Sequence, residues 1–338
     1  MKALFLAGGR GTRLKPLTDR LPKPMVPIMG KPLLERNMLK LKDCGIDEIV
    51  LSTCYKPQSI EEYFGDGSRH GLKMHYASED IPLGTGGAIK NTESFFEDTF
   101  LIFNSDILSD IDYREMLRFH KTKSAAVTIA VTSVDNPSMY GVIEYDQQGY
   151  AVSFKEKPQP QEITSNCINA GVYVFEPEVL KEIPSGTVVS VEREVFPMLL
   201  HKGYKIAVYK GCSYWMDIGT PEKYLQVHTD ILAGKCKIPE IDFSSQGVYH
   251  GQNASIHGTA KVLGPVYMGD NVEIGAYASI GPGTVIGSNT RIDMGSRVVG
   301  SVVWDNVTVG SGAALYNTIV VSDCHVEKND TYYNTVAI

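Results

Sequence analysis

A six-residue repeat in the last hundred residues constrains this fold more than any other feature. Aliphatic anchors stand at Ile256, Val262, Met268, Ile274, Ile280, Ile286, Ile292 and Val298, each six after the last. Small residues and glycine fill the gaps, as in IGAYAS, IGPGTV and IGSNTR. After a slip near Val302 the spacing resumes through Val303, Val309 and Leu315, and later at Val320 and Val326. Such a period predicts a left-handed parallel β-helix of about five coils. One aliphatic side chain per face points inward and stacks on its neighbours along the axis, while tight corners favour glycine and asparagine.

Upstream the pattern changes. Ala3–Ala7 is a short apolar run ending in glycine, as a buried parallel strand does. Pro32 opens a helix with the apolar face Leu33, Leu34, Met38 and Leu41, and Gly45 stops it. The strand Ile49–Thr53, a short helix at Ile60–Phe64 and the strand Met74–Ala77 follow. A helix from Gly86 to Glu97 and the strand Phe100–Phe103 come next. This alternation predicts an α/β fold: a Rossmann-like, mostly parallel sheet with helices on both faces. Thr220, Pro221 and Gly234 cap, open and close a last helix. The expected division is a catalytic domain over 1–234, a linker over 235–245 and the β-helix over 246–338.

Composition narrows the partners. A net charge of −7 argues against a broad nucleic-acid surface, so any phosphate site must be a local pocket of positive charge. No run of about 18 apolar residues exists to span a membrane. The six cysteines form no C-x-x-C pair, which favours free thiols and a cytoplasmic location.

The chemistry concentrates near the start. LAGGRGTRLKPLT runs from Leu6 to Thr18, and PKPMVPIMGKP follows from Pro22 to Pro32. Gly8, Gly9 and Gly11 come directly after a strand, where glycines let backbone N–H groups crowd around phosphate oxygens. Arg13 and Lys23 add fixed positive charge. No G-K-[ST] follows, so this is not a P-loop. Leu14 holds the third glycine position of the dinucleotide fingerprint, which counts against a dehydrogenase.

These strings resemble the sugar-phosphate nucleotidyltransferases, in particular their guanylyltransferase branch with hexapeptide-repeat tails. The resemblance implies transfer of a nucleotidyl group from a nucleoside triphosphate to a sugar 1-phosphate, with release of pyrophosphate and use of Mg²⁺. It implies nucleotide contacts at Leu6, Ala7, Gly8, Gly9, Gly11, Thr12 and Arg13. Further nucleotide contacts are implied at Glu79, Gly84 and Thr85 beside PLGTGGAIK. Asp106, in Asn104-Ser105-Asp106, and Asp217, in WMDIGTP, stand where the family holds its metal. The usual Gly-Asp is here Ser-Asp, a mild departure. Tyr140, Gly141, Glu156, Lys157 and Asn169 match the sugar-binding positions. Arg13, Lys23 and Lys157 are the implied catalytic cations.

Glu79 bears on the base. An ionised carboxylate only accepts hydrogen bonds, and guanine offers two adjacent donors, so GTP is favoured; the resemblance implies mannose 1-phosphate as its partner. Thymidine, uridine, adenosine or cytidine triphosphate with glucose 1-phosphate or a manno-heptose 1-phosphate is the alternative. Two other readings stay open: amino-sugar acetylation by the tail, with His250, His257 or His325 as base, and an inactive regulatory subunit. A homo-oligomer assembled through the β-helix is expected.

Overall fold

Nine strands gather around the first apolar run. The computed structural model describes residues 1–243 and 247–338. Residues group into two compact units. One holds Met1–Arg10, Pro22–Pro24 and Leu34–Trp215. The other holds Gly11–Leu21, Met25–Leu33 and Met216–Ile338.

In the first unit, β1 (Lys2–Leu6), β2 (Glu48–Thr53), β3 (Lys73–Ser78) and β4 (Phe100–Asn104) pair in parallel, in the order β4-β1-β2-β3. Helices α1 (Leu33–Asp43), α2 (Pro57–Phe64) and α3 (Gly84–Asn91) alternate with them. The remaining strands are β5 (Val127–Ser133), β6 (Gly141–Tyr145), β7 (Ala151–Glu156), β8 (Cys167–Phe175) and β9 (Ile206–Tyr209). They complete a mixed sheet, in which β8 runs antiparallel to β4, β5 and β6. Leu4, Val50, Ile102, Ile129, Tyr173 and Phe196 belong to one buried core, each such side chain contributing about 1.5–3 kcal/mol of hydrophobic stabilisation.

One element departs from expectation. The helix expected over Gly86–Glu97 ends at Asn91, and a separate 3₁₀ turn follows at Glu93–Phe95. Thr92 separates them: it is fully buried, and its hydroxyl donates to the Ile89 carbonyl at 2.7 Å. Such back-bonding by a β-branched residue competes with the helical ladder.

In the second unit the repeat becomes three sheets of six, five and five parallel strands, the arrangement of a left-handed parallel β-helix. Met268 pairs with Ile286 and Ile286 with Val303, so the coil shortens from about 18 residues to about 17. The slip near Val302 is therefore a corner with one residue fewer. The anchors from Met268 onward are buried, whereas Ile256 is 41% exposed because the end coil has no neighbour on one side. At one corner Asn253, Asn271, Asn289 and Asn306 all take positive φ. Their side-chain amides form a ladder, Nδ2 to Oδ1 at 2.9–3.2 Å, which satisfies polar groups that a turn would otherwise leave to solvent. Helix α4 (Pro221–Leu232) belongs to this unit; Thr220 caps it by accepting the Lys223 N–H, and Gly234 lies just past its end at φ 75°. Of the expected linker, Ser244 and Ser245 lie outside the described residues. All six cysteines are free thiols, and no described helix is long and apolar enough to cross a membrane.

Candidate active site

Parallel strands end together, so the sequence-distant strings at their C-terminal ends meet. A cavity of about 340 Å³ opens there in the first unit, lined by Leu6, Gly8, Gly9, Lys23, Ser52, Glu79, Gly84, Thr85, Asn104 and Asp106, among others. Crevices at such strand ends are where open α/β sheets bind ligands. A methyl group built on Gly9 would meet nothing within 4 Å, which leaves that wall open to a bulky anion. Ala7 is different: it is buried and its N–H donates to the Ser52 carbonyl at 2.8 Å. Its amide therefore serves the sheet.

Lys23 supplies the charge. Its ammonium donates to Asp106 Oδ2 at 2.5 Å and the residue is only 8% exposed. A charge-assisted bond of this kind is about twice as strong as a neutral one. Ser105, where the family has glycine, donates its hydroxyl to the Leu6 carbonyl at 2.7 Å. The departure thus ties the end of β4 to the end of β1 and keeps Asp106 at the cavity.

Glu79 lines the same cavity with both oxygens already engaged. Oε1 accepts the Ser52 hydroxyl at 2.7 Å and Oε2 the Leu83 N–H at 2.8 Å. Each oxygen retains a further lone pair for a ligand donor. The glycines of PLGTGGA have a reason the sequence did not show. At Gly84, with φ 71°, a Cβ would lie 2.6 Å from the Val189 carbonyl oxygen, and at Gly87 one would lie 2.6 Å from that of Thr187. Close approach of the chain to itself already demands glycine at these two positions. Thr85 likewise uses its hydroxyl internally, donating to Glu192 Oε2 at 2.6 Å and accepting the Val191 N–H at 2.9 Å.

The sugar-type residues also converge. Glu156 pairs with Gly141 across β7 and β6, and the Lys157 N–H donates to the Tyr140 carbonyl at 2.9 Å. The Tyr140 ring meets Trp215 edge-on at 5.4 Å, and the Trp215 indole donates to the Ala170 carbonyl at 2.9 Å. Asn169 begins a break in the register of β8. Its Oδ1 accepts the Gly171 N–H at 2.9 Å and its Nδ2 donates to the Tyr173 hydroxyl at 2.8 Å. Trp215 was legible only as part of the aspartate string, and Glu192 carries no motif at all.

Burial, followed by the charge of Glu192, raises the pKa of Glu156 above its ordinary 4.5, while Lys157 and Arg193 oppose this. A raised carboxyl pKa means that the folded chain prefers the neutral form. Stability from this group is present below the ordinary value and is lost as pH rises through the raised one. Glu156→Gln, which cannot ionise, is therefore expected to melt higher than the parent at pH 7.5 and to lose that advantage at pH 4. Equal shifts at both pH values in thermal denaturation would remove this account of Glu156.

The second unit carries the other charged residues. Gly11 has φ 62° and its carbonyl accepts the Leu14 N–H and the Thr18 hydroxyl, each at 3.0 Å. The single turn Thr12–Leu14 then leaves Thr12 and Arg13 exposed and Leu14 buried. A Cβ built on Gly219 would lie 3.1 Å from Asp217 Oδ2 and 3.4 Å from Arg13 Nη2, so the guanidinium and the carboxylate share one backbone corner. Asp217 is 9% exposed and ion-paired with Lys223. Among the described residues no cluster of three or more His, Cys, Asp or Glu side chains is arranged to hold a metal ion. Asp106 in the first unit and Asp217 in the second each offer hard carboxylate oxygens, the donor type that divalent ions such as Mg²⁺ prefer.

Comparison with known proteins gives this geometry a context. The nucleotidyl transferase family model matches residues 2–234 and the GMPPB C-terminal domain model matches residues 262–336. A mannose-1-phosphate guanylyltransferase of Mycobacterium tuberculosis is 41% identical over 87% of this chain and 81% of its own length. A UTP–glucose-1-phosphate uridylyltransferase of Synechocystis is 35% identical over the same shares. HddC from Yersinia pseudotuberculosis, in a crystal structure complexed with GMP-PN, superposes with a TM-score of 0.57 at 32% identity. That match covers 67% of this chain and 97% of the other. The chain belongs to the nucleotidyl transferase family.

Proposed function

We propose that this protein joins GTP to mannose 1-phosphate, forming GDP-mannose and pyrophosphate. The observation that carries this is the pair of buried Lys23 with Asp106 at a cavity walled by Gly8, Gly9 and Glu79. Glu79 presents only acceptors there, which suits guanine, and the guanylyltransferase relative in M. tuberculosis supports the same base and sugar.

The phosphate oxygen of the sugar attacks the α-phosphorus of the nucleotide in line with departing pyrophosphate. Both reactants are anions, so their repulsion is the first obstacle. Arg13 and Lys23 neutralise the triphosphate and the leaving pyrophosphate, and Lys157 holds the attacking phosphate. The nucleophile is ionised at neutral pH, so no covalent enzyme intermediate is needed. Positioning supplies up to about 7–11 kcal/mol of the barrier reduction. Enzymes of this family use a divalent metal. Mg²⁺, with Asp106 and Asp217 as its proposed ligands, would supply further neutralisation of phosphate charge. Tyr140, Gly141, Glu156 and Asn169 are the proposed sugar contacts. Leu6, Gly8, Gly9, Gly11, Thr12, Glu79, Gly84 and Thr85 are the proposed nucleotide contacts, the last two through backbone. The division of the chain at 234 and 246, and homo-oligomer assembly through the β-helix, complete the proposal.

The uridylyltransferase relative gives a second reading, UTP with glucose 1-phosphate. A pyrophosphate-release panel separates them: five nucleoside triphosphates against mannose, glucose and manno-heptose 1-phosphates, with and without Mg²⁺. The proposal expects kcat/KM to be highest for GTP with mannose 1-phosphate, at least tenfold above any pair with UTP. The reverse order would replace it with the second reading.

A further inference from the structure

Glu192 belongs to no recognisable string, yet it joins the nucleotide cavity to the sugar contacts. Its Oε2 accepts the hydroxyls of Thr85, at 2.6 Å, and Ser190, at 2.9 Å. Thr85 lines the nucleotide cavity. The turn that carries it, Val191–Val195, packs against both α3 and β7, the strand that ends in Glu156. Burial, then the charge of Glu192, raises the pKa of Glu156 and of Tyr173, the hydroxyl partner of Asn169. The residues proposed to touch base and sugar are thus linked through one carboxylate.

Two neighbouring carboxylates beside a site for two anions are electrostatically unfavourable. The charge of Glu192 adds to burial in disfavouring ionisation of Glu156, and both carboxylates repel phosphate. A purely structural lock on the first turn of α3 would not need the second charge, because a glutamine oxygen accepts the same two hydroxyl bonds. The arrangement makes sense against a neutral group rich in O–H donors, which is what a hexose ring presents. Both internal bonds fall on Oε2, so Oε1 carries the remaining acceptor capacity.

Resting on the function proposed above, we infer that Glu192 is a second sugar-binding carboxylate: with Glu156 it accepts hydrogen bonds from hexose ring hydroxyls, while its bond to Thr85 holds the first turn of α3 at the nucleotide cavity. It thereby makes sugar recognition depend on a side chain that also holds the nucleotide cavity in shape. Hydrogen bonds to a charged acceptor discriminate strongly between ligands that do and do not offer the donor.

The test compares GDP-mannose with GDP by isothermal titration calorimetry on the full chain, so that the sugar's contribution is read without turnover. Wild type is expected to bind GDP-mannose more tightly than GDP. Glu192→Gln is expected to weaken GDP-mannose at least tenfold while changing GDP less than twofold, and to raise KM for mannose 1-phosphate but not for GTP. Glu192→Asp, which keeps the charge but draws it back by one carbon, is expected to show the same split at smaller size. Equal weakening of both ligands, or an undiminished preference for GDP-mannose, overturns the inference and leaves the proposed function standing. Failure of both variants to fold assigns Glu192 to structure and also overturns it. Absence of any preference in wild type instead strikes at the proposed function, and this inference falls with it.

Discussion

Asp106→Asn is expected to lower the rate of pyrophosphate release by at least about two orders of magnitude, the usual loss when one key electrostatic group is removed from a preorganised site. The substitution keeps the shape of the side chain and removes its charge. Asp106 Oδ2 holds the ammonium of Lys23 at 2.5 Å, and Lys23 is buried. With the carboxylate gone, a proposed metal ligand and the fixed partner of the lysine are lost together. Unfolding would imitate this result, so a thermal melt must accompany it. Asp106 has about a third of its side chain exposed, and the stability effect is accordingly expected to be small beside the kinetic one. Near-normal turnover in Asp106→Asn would remove this residue from the chemistry.

Gly171→Val is expected to act in the opposite way, through stability. Gly171 sits in the register break of β8 with φ 70°. There a Cβ would lie 2.3 Å from Ile107 Cδ1 and 2.8 Å from Asn104 Nδ2. The left-handed backbone costs a side chain about 1–2 kcal/mol, and overpacking a tight contact costs about 1–3 kcal/mol more. A loss of several kcal/mol is a large part of the stability of a typical domain. The variant should melt well below wild type, or accumulate as aggregate. A wild-type melting temperature would show that β8 can shift away from Asn104 and Ile107, against the rigid geometry described here.

Much of this was legible in the chain, and the reasons are local. The β-helix was readable because each anchor repeats one physical demand, an aliphatic side chain stacked on its predecessor. Even the slip at Val302 had a plain cause, a shorter corner. The strand-end strings were readable because glycine loops, a lysine between prolines and an aspartate after an apolar run each mark chemistry by type and spacing. What stayed hidden depends on contacts distant in sequence. Nothing near Gly84 announces that Val189 packs against it. Glu192 lies in V-E-R-E-V, which reads as an ordinary charged turn until Thr85 is seen to bond it. The antiparallel β6, β7 and β8 were not part of the βαβα rhythm, and the break at Asn169 lies within the pairing of β8 with β5, where Asn169 faces Val131 and Tyr173 faces Ile129.

The most direct test of the central claim is product analysis on the purified full chain supplied with GTP, mannose 1-phosphate and Mg²⁺. Anion-exchange separation should show GDP-mannose and pyrophosphate appearing in equal amounts. Pyrophosphate without a sugar nucleotide, or intact substrates after prolonged incubation with every base and sugar tried, would contradict it.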